Sequence, residues 1–364
     1  MQTSTRTLLV TGGAGFIGSN FVLGCVTTGF ARVITLDSLT YAGNVSNLAS
    51  LEGDPRHAFV RGDIRDTALV RRLLSEHRPD ALVHFAAESH VDRSIDAPDT
   101  FVQTNVVGTF SLLEAVRGHL ASSTAERRGR FRFLHVSTDE VFGTLGSEGY
   151  FREDTSYAPN SPYSASKAAS DMFVRAYHHT YGVPTITTNC SNNYGPFQFP
   201  EKLIPLMILN CLERKPLPVY GTGRNVRDWL YVEDHCAGIR RALEMGKVGE
   251  TYLFGGRSER TNLEMVHEIC DVVDELTGKA PGTSRGLVTF VADRPGHDMR
   301  YAVDPSKAER EIGWTPSTKL SDGLRRTVRW YLDKQTWCAD ITSGGYRRER
   351  LGIGNASDAK GVMA

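Results

Sequence analysis

Residues 8–18 read Leu-Leu-Val-Thr-Gly-Gly-Ala-Gly-Phe-Ile-Gly. The apolar run 8–10 predicts a strand, and residues 16–28 continue as a helix. Glycines at positions 13, 15 and 18 give the spacing G-x-G-x-x-G, and those at 12, 15 and 18 give G-x-x-G-x-x-G. Either spacing predicts a tight turn whose backbone can approach a pyrophosphate at the amino terminus of the helix. The alternative is a strand-to-helix turn that binds nothing, because short glycine patterns also arise by chance.

A second predicted strand, residues 32–36, ends in Asp37. An acid at this position can accept hydrogen bonds from the ribose hydroxyls of an adenosine and repels a 2′-phosphate. Strand, glycine turn, helix and acid together therefore predict a dinucleotide-binding unit that takes NAD rather than NADP. Asp63, after a third apolar run, is a candidate for the adenine amino group.

Strands and helices keep alternating along the first half of the chain. Further strands are predicted at 58–60, 81–85, 134–137 and 185–190, and helices at 68–76, 104–117 and from 163 onward. This alternation predicts an α/β fold, a Rossmann-type doubly wound parallel sheet. Ala86 and Ala87, at the end of the fourth strand, are small enough for a flat cofactor to lie against the backbone.

The regular alternation of predicted strands and helices ends near residue 196, where prolines begin to interrupt the helical runs. We therefore predict an NAD-binding Rossmann domain over residues 1–195 and a smaller, partly interleaved C-terminal substrate-binding domain over 196–340. Residues 225–245 are expected to return to the first domain, with Trp229–Val232 as a strand of the main sheet and 233–245 as a helix. Residues 122–132 are expected to form a loop, and 341–364 a tail that is poorly ordered at its end.

Composition restricts the class of protein. Lys plus Arg and Asp plus Glu both number 42 in 364 residues, so no net charge favours nucleic acid or a membrane surface. Six scattered cysteines without a C-x-x-C pair predict neither a metal site nor a disulfide framework. Without a signal peptide or an apolar run of about 20 residues, a cytoplasmic protein is expected.

Tyr163 and Lys167 are four residues apart in a predicted helix, which places both side chains on one face. Pro162 suits the first turn and Ser161 is a candidate cap. A nearby ammonium favours the phenolate and draws its pKa toward working pH, so Tyr163 is a candidate base for a hydroxyl proton. An exposed pair on a solvated helix face is the alternative.

Thr138, Asp139 and Glu140 follow the strand at 134–137, at the edge where open α/β sheets bind ligands. Two adjacent acids can act as acid and base if their surroundings separate their pKa values. In a continuous strand their side chains would point to opposite faces. Both can reach one substrate only if the strand has ended by residue 139. A loop cap is the alternative.

Assembled in order, these pieces resemble the extended short-chain dehydrogenase/reductase superfamily and, within it, the family of NAD-dependent dTDP-glucose 4,6-dehydratases. The resemblance covers residues 8 to about 332. Its most specific blocks are 86–94 (AAESHVDRS), 137–143 (STDEVFG), 188–196 (TNCSNNYGP), 201–205 (EKLIP), 227–234 (RDWLYVED) and 293–298 (DRPGHD). The loop at 127–132 and the residues after Trp337 match less well.

The resemblance implies conversion of dTDP-D-glucose to dTDP-4-keto-6-deoxy-D-glucose and water, in deoxysugar biosynthesis, with no net redox change. Tyr163, Lys167 and Thr138 would act at the 4-hydroxyl, Glu140 as base at C5 and Asp139 as acid on the departing 6-hydroxyl. The implied cofactor contacts are Gly12, Gly15, Phe16, Ile17, Gly18, Asp37, Ser38, Leu39, Thr40, Asp63, Ile64, Ala86, Ala87, Ser89, Asn105, Tyr163, Lys167 and Asn193. The implied dTDP-hexose contacts are His90, Thr138, Asn192, Lys202, Leu203, Pro218, Tyr220, Arg227, Asn262, Arg294 and His297.

Two other readings stay open at this stage. The chain could be a 4-epimerase or decarboxylase of the same superfamily, although an epimerase has no use for an acid and a base at C5 and C6. It could also be a non-catalytic NAD(H)-binding module that kept the fold. By analogy with the family, helices 105–117 and 163–181 would form a homodimer interface. The sequence leaves thymine and uracil nucleotides undecided, since they differ by one methyl group.

Overall fold

The computed structural model describes residues 6–343. The predicted tail at 341–364 therefore lies outside the described residues, apart from 341–343, which end the last helix. No helix in the described part of the chain is both long and apolar enough to cross a membrane.

A seven-stranded parallel sheet organises the molecule, with the strand order β3-β2-β1-β4-β5-β6-β10. Its strands are β1 (Thr7–Thr11), β2 (Arg32–Asp37), β3 (His57–Arg61), β4 (Ala81–His84), β5 (Arg132–Thr138), β6 (Thr185–Cys190) and β10 (Thr251–Phe254). The order reverses between β1 and β4, and such a switch point opens a crevice at the carboxyl ends of the strands. The predicted Rossmann-type fold is confirmed.

The helices of residues 6–343 either cover the two faces of this sheet or pack beside it. They are α1 (Phe16–Thr27), α2 (Thr67–His77), α3 (Val91–Asp96), α4 (Pro98–Phe101), α5 (Gly108–Ala121), α6 (Ala125–Arg130), α7 (Pro162–Tyr181), α8 (Leu203–Glu213), α9 (Val232–Met245), α10 (Asn262–Thr277), α11 (Ser306–Ile312), α12 (Leu320–Asp333) and α13 (Gln335–Ser343). Single 3₁₀ segments lie at Val45–Leu51, Asp139–Phe142 and Arg285–Leu287, and a π-helical segment lies at Val102–Val107.

Successive side chains of each strand point to opposite faces of the sheet, so the core has two layers. Leu8 and Val10 pack with α1, α9 and α11 on one face of the sheet, and Leu9 packs with α2, α5 and α7 on the other. Both faces are buried, which explains why these strands are continuously apolar in the sequence. The burial also holds the carboxyl edge of the sheet rigidly in place.

A second core lies beside the sheet and is built from residues after 193. It joins α8, α10 and α12 to two small sheets. One contains β7 (Asn192–Tyr194), β9 (Val226–Tyr231) and β11 (Glu259–Thr261), and the other contains β8 (Leu217–Tyr220) and β12 (Val288–Val291).

The predicted return of Trp229–Val232 to the main sheet is wrong. These residues belong to β9 and the start of α9, and the sheet position beside β6 is taken by β10. Leu230 faces the main core, whereas Trp229 and Tyr231 face the second core. A strand buried on both sides has the same apolar pattern in either sheet, so the sequence could not assign it. The helix predicted at 233–245 does pack on the main domain, as α9 against α1.

Two local predictions need smaller corrections. The expected loop at 122–132 contains α6, which Thr124 caps through its side chain. The helix expected from residue 104 begins at Pro98 and passes through the π-helical segment Val102–Val107 before α5.

Candidate active site

A cavity of ≈ 650 Å³ opens at the switch point between β1 and β4. The glycine turn, the ends of β2, β4 and β5, the start of α7 and the segment 190–202 line it. All five predicted catalytic residues lie in its wall: Thr138, Asp139, Glu140, Tyr163 and Lys167. Most of the predicted cofactor residues line it as well, namely Gly12, Gly15, Phe16, Ile17, Gly18, Asp37, Ser38, Thr40, Asp63, Ile64, Ala86, Ala87, Ser89 and Asn193.

The glycine turn leaves space where side chains would fill it. A Cβ at Gly18 would lie 2.1 Å from the carbonyl oxygen of Gly12, so the close packing of turn and helix requires a glycine there. A Cβ at Gly15 would meet nothing closer than 3.4 Å and would project toward the cavity. Gly15 is also the N-cap of α1, whose first N–H groups have no side-chain cap. A phosphate-bearing dinucleotide fits this cradle.

Asp37 ends β2 and is held by the backbone. Its carboxylate accepts hydrogen bonds from the N–H groups of Ala14 (2.9 Å) and Leu39 (2.8 Å). Burial raises the pKa of Asp37, and these two bonds oppose the rise. Leu39 has a left-handed backbone (φ 55°) and does not line the cavity, unlike the neighbouring Ser38 and Thr40.

The part of the cavity wall after β3 carries a pair of opposite charges. Arg65 donates to both carboxylate oxygens of Asp63, from Nη2 to Oδ2 at 2.6 Å and from Nε to Oδ1 at 3.1 Å. The hydrogen bond from Arg65 lowers the pKa of Asp63. Asp63 is therefore an anionic acceptor on the wall beside Ile64.

Tyr163 and Lys167 occupy the first turns of α7. The helix starts as expected, with Pro162 in the first turn and a capping box between Ser161 and Ser164. The Nζ of Lys167 donates to the carbonyl of Val136 at 2.9 Å, which fixes the ammonium against β5.

The phenol of Tyr163 does not show the lowered pKa that the sequence suggested. Burial raises its pKa well above the usual value, and the charge of Glu140 raises it further, while Thr138 opposes the rise through a hydrogen bond. Lys167 is buried as well, and burial lowers its own pKa. The prediction neglected these desolvation costs, because burial cannot be read from a four-residue spacing.

Asp139 and Glu140 both line the cavity because β5 ends at Thr138. The next four residues form a 3₁₀ turn that Thr138 caps, its hydroxyl accepting from the N–H of Glu140 at 3.2 Å. The same hydroxyl donates to the carboxylate of Asp139 at 3.3 Å. Both acids could reach one substrate only if the strand had ended by residue 139, and the backbone does leave the strand before that residue.

The two acids differ in their surroundings. Burial and the charges of Glu140 and Asp228 raise the pKa of Asp139 well above its usual value. Burial also raises the pKa of Glu140, but the cations Arg294, Lys202 and Arg227 oppose that rise. The arrangement favours a protonated Asp139 beside a more easily ionised Glu140, which is the division of roles that acid and base need.

Some of the predicted substrate residues line the cavity, and the others lie outside it. Asn192 and Lys202 lie in the cavity wall, and the Nζ of Lys202 donates to the carbonyl of Ser89 at 2.6 Å. The others lie outside that wall: His90, Leu203, Pro218, Tyr220, Arg227, Asn262, Arg294 and His297.

Several of these outer residues nevertheless form polar contacts in two groups, which together we call the outer network. Asp92 accepts from Tyr220 (2.9 Å) and pairs with Arg294 (3.1 Å). The buried Arg227 donates to the carbonyl of Asp298 at 2.9 Å. Because Arg227 and Arg294 also act on the pKa of Glu140, the network faces the acids of the cavity.

Asn105 lies behind the wall. Its side chain exchanges hydrogen bonds with the backbone of Glu88 (2.9 and 3.0 Å) and donates to Ser166 at 2.8 Å. It therefore supports the wall from behind, while its neighbour Thr104 lines the cavity.

Sequence reasoning missed several wall residues. They include Glu88, Thr104, Gln198 and Glu201. Glu88 stands inside a quoted motif, between Ala87 and Ser89, so its position gave a usable signal. Glu201 likewise stands in a quoted motif, 201–205, whereas Gln198 had no such signal, because the loop that brings it here is irregular. No group of three or more metal-ligating side chains occurs within residues 6–343.

Known proteins match nearly the whole chain. A family model described as GDP-mannose 4,6 dehydratase matches residues 9–327. The dTDP-glucose 4,6-dehydratase of Xanthomonas campestris pv. campestris (strain B100) is 61% identical over 347 residues, covering 95% of this chain and 99% of that protein. The chain belongs to the dTDP-glucose 4,6-dehydratase family.

More distant members of the family agree in sequence and in structure. The dTDP-glucose 4,6-dehydratase of Neisseria meningitidis serogroup B is 54% identical over 353 residues, covering 96% of this chain and 99% of that protein. The crystal structure of the Streptomyces venezuelae dTDP-glucose 4,6-dehydratase, which has NAD bound, is 48% identical, with a TM-score of 0.84. The match covers 92% of this chain and 100% of that one. Members of the dTDP-glucose 4,6-dehydratase family thus share this fold over almost their full length.

Proposed function

We propose that this chain converts dTDP-D-glucose to dTDP-4-keto-6-deoxy-D-glucose and water through the side chains of the cavity at the β1/β4 switch point. One observation carries the proposal: Asp139 and Glu140 share the cavity wall with Tyr163 and Lys167. Oxidation at C4 alone would need only the tyrosine and the lysine. A neighbouring acid and base are what an elimination across C5 and C6 requires.

NAD is the proposed cofactor. When bound, it supplies a positively charged nicotinamide that accepts a hydride from C4 of the sugar and later returns it to C6. The glycine turn and the first turn of α1 would hold the pyrophosphate, Asp37 the adenosine ribose and Asp63 the adenine. Tyr163, Lys167 and Asn193 would line the nicotinamide end, with Thr104 added to the predicted contacts.

The protein moves protons at three places on the sugar in this scheme: the 4-hydroxyl loses one, C5 loses one and regains one from solvent by way of Glu140 when C6 is reduced, and the 6-hydroxyl gains one. As a phenolate, which the Lys167 ammonium and the charge of bound NAD would favour against the effect of burial, Tyr163 would take the proton of the 4-hydroxyl on its Oη, while the hydroxyl of Thr138 shares a hydrogen bond with the same oxygen. The resulting 4-ketone acidifies the proton at C5, and a carboxylate oxygen of Glu140 removes it. Asp139 donates its proton to the 6-hydroxyl, which leaves as water. Burial keeps Asp139 protonated for this step, and three cations keep Glu140 ionisable for the preceding one.

The outer network is proposed to hold the nucleotide diphosphate. Arg227, Arg294 and Lys202 bring positive charge to one side of Glu140, and guanidinium groups bind phosphate oxygens through paired hydrogen bonds. Residues 196–340 would form the substrate domain, with α9 packed against the cofactor domain. The polar residues at its border support this assignment, and dTDP is the nucleotide in the names of the sequence relatives.

A single assay tests the activity. The purified protein is incubated with dTDP-glucose, UDP-glucose or GDP-mannose in deuterated water, and products are followed by the alkali-induced absorbance of 4-keto sugars and by mass spectrometry. We expect turnover of dTDP-glucose with one solvent deuterium incorporated at C5. The exposed variant Glu148→Gln is the control and should match the parent. A 4-epimer as product would favour the epimerase reading, and no turnover of any sugar would favour the binding module.

We further propose that the protein is a cytoplasmic homodimer. Apolar side chains on the π-helical segment, α5 and α7 stay exposed in the single chain: Val102 (47%), Val107 (37%), Phe110 (42%), Met172 (50%) and Phe173 (39%). The two helices pack side by side, so these residues form one surface, which a second copy would cover. The six cysteines are free and buried, as is common in a reducing compartment.

A further inference from the structure

Asp171 lies one helical turn beyond Lys167 on α7, so both side chains belong to the same buried face of the helix. Each is only 4% exposed. Neither the glycine turn nor the substrate network touches Asp171, and it does not line the cavity. A buried carboxylate is costly unless it is paired and hydrogen-bonded, so its presence behind the catalytic pair needs an explanation.

Four donors from three segments fix the Asp171 carboxylate. One oxygen accepts from Nε2 of His135 at 3.0 Å. The other accepts from Ser137 Oγ (2.9 Å), Tyr157 Oη (2.9 Å) and Asn189 Nδ2 (3.2 Å). Burial would raise the pKa of Asp171, but these bonds and the charge of Lys167 outweigh it, and the pKa lies below its usual value. Asp171 is therefore a stationary anion.

Burial lowers the pKa of Lys167, and Asp171 is the first of the groups that oppose the fall. Other titratable side chains face this pair from every neighbouring element. Cys190 of β6 also supports the ammonium, but burial raises the pKa of that thiol beyond the working range. On the remaining sides stand His135 of β5, His84 of β4, Tyr157 of the preceding loop and Tyr163 of α7.

The two histidines give Lys167 no negative charge. Burial lowers the pKa of His135 to about 4 and that of His84 well below its usual value, so both are neutral near pH 7. His84 is held between the hydroxyls of Thr11 (2.8 Å) and Thr109 (3.0 Å). Among the side chains around the ammonium, Asp171 is the one that is ionised at working pH.

We propose that Asp171 is a positioning residue for the proton transfer at Tyr163: as a fixed buried anion one turn from Lys167, it keeps Lys167 an ammonium ion at the cavity wall. The role of Tyr163 and Lys167 is that of the proposed function, on which the kinetic part of this inference rests. The electrostatic part depends on the fold alone. Asp171 itself contacts neither sugar nor cofactor and acts through Lys167.

The first test replaces Asp171 by Asn, which keeps the shape and removes the charge. Selective ¹³C labelling of the lysine ε-carbon allows the titration of Lys167 to be followed by NMR, its signal being assigned by its loss in Lys167→Met. In Asp171→Asn we expect the titration of Lys167 to move to lower pH by about one unit or more. Tyr157→Phe removes one donor and leaves the charge, so its Lys167 titration should stay within a few tenths of a unit of the parent.

The second readout is the pH profile of kcat. Because turnover requires a charged Lys167, the alkaline limb of the profile in Asp171→Asn should move to lower pH by the same amount as the lysine titration, and on that limb kcat should fall by up to about tenfold for each pH unit of the shift. Asp171→Glu should restore much of both. A fall in kcat with an unmoved limb and an unmoved lysine titration would mean that Asp171 only supports the fold, and would overturn the proposal.

If Asp171→Asn does not fold, the reciprocal measurement decides, because coupling between two sites is the same in both directions. Lys167→Met should raise the pKa of Asp171, read from its ¹³C carboxyl signal, and an unchanged value would overturn the proposal. The two proposals can also fail separately. A parent protein that turns over no nucleotide sugar but shows the coupled titration refutes the proposed function and supports the role of Asp171.

Discussion

Asp139 and Glu140 are consecutive residues whose side chains line the same cavity, because β5 ends at Thr138 and a 3₁₀ turn follows. In a strand they would point to opposite faces of the sheet. Their surroundings differ even so: burial raises the pKa of Asp139 well above its usual value, whereas Lys202, Arg227 and Arg294 oppose the rise in the pKa of Glu140. A single pair of neighbours can therefore provide both an acid and a base.

This relationship predicts different failures for two conservative variants. Glu140→Gln should lower kcat by about 10² to 10⁴ and abolish exchange of the C5 proton with solvent, because the base is lost. Asp139→Asn should lower kcat to a similar extent but keep C5 exchange, because only protonation of the leaving hydroxyl is impaired. Deuterium incorporation at C5 and the absorbance of reduced cofactor at 340 nm separate the two. Normal turnover in Glu140→Gln would remove that residue from the mechanism.

The two glycines of the turn should respond differently to alanine. Gly18→Ala places a methyl group 2.1 Å from the Gly12 carbonyl, so we expect a loss of at least about 2 kcal/mol in the free energy of unfolding. Gly15→Ala meets no such clash and should keep its stability, but its methyl group projects toward the cavity, so the purified protein should contain less NAD. Denaturant unfolding and the amount of released NAD measure the pair. Equal effects on stability would contradict the packing argument.

Buried His235 should make the protein acid-sensitive. Burial lowers its pKa to about 3, so between pH 6.5 and 3 the unfolded chain binds a proton that the folded chain excludes. Its contribution to stability is thus lost as the pH falls, by about 1.4 kcal/mol per pH unit. In His235→Gln, the decline in the free energy of unfolding from pH 6.5 to 5 should be less steep by that amount. The exposed His179→Gln should leave the slope unchanged.

The proposed dimer should depend on the exposed apolar surface of α5 and α7. Phe110→Asp together with Phe173→Asp puts two charges into the surface that a second copy would bury, so sedimentation at micromolar concentration should show a monomer. Met245→Asp, on α9, is a matched exposed apolar site outside this surface and should leave the dimer intact. A parent protein that sediments as a monomer would refute the dimer.

Much of the cofactor site could be predicted because its information is local. The run from Leu8 to Gly18 needs only its own glycine spacing and the acid at the end of the next strand to indicate a dinucleotide turn. Tyr163 and Lys167 likewise share a helix face by spacing alone. Such patterns depend on the geometry of one strand or one helix, which the chain specifies within a few residues.

The sequence by itself therefore determined the parallel sheet and the glycine turn, and it singled out the side chains to which we assign the proposed chemistry. Only the tertiary structure decided that β9 joins a small sheet, that Asn105 stands behind the wall, and that burial raises rather than lowers the pKa of Tyr163. These properties depend on which distant segments exclude water from a residue. The desolvation of a side chain depends on all the residues packed around it, and a local sequence pattern does not identify residues that are distant in the chain.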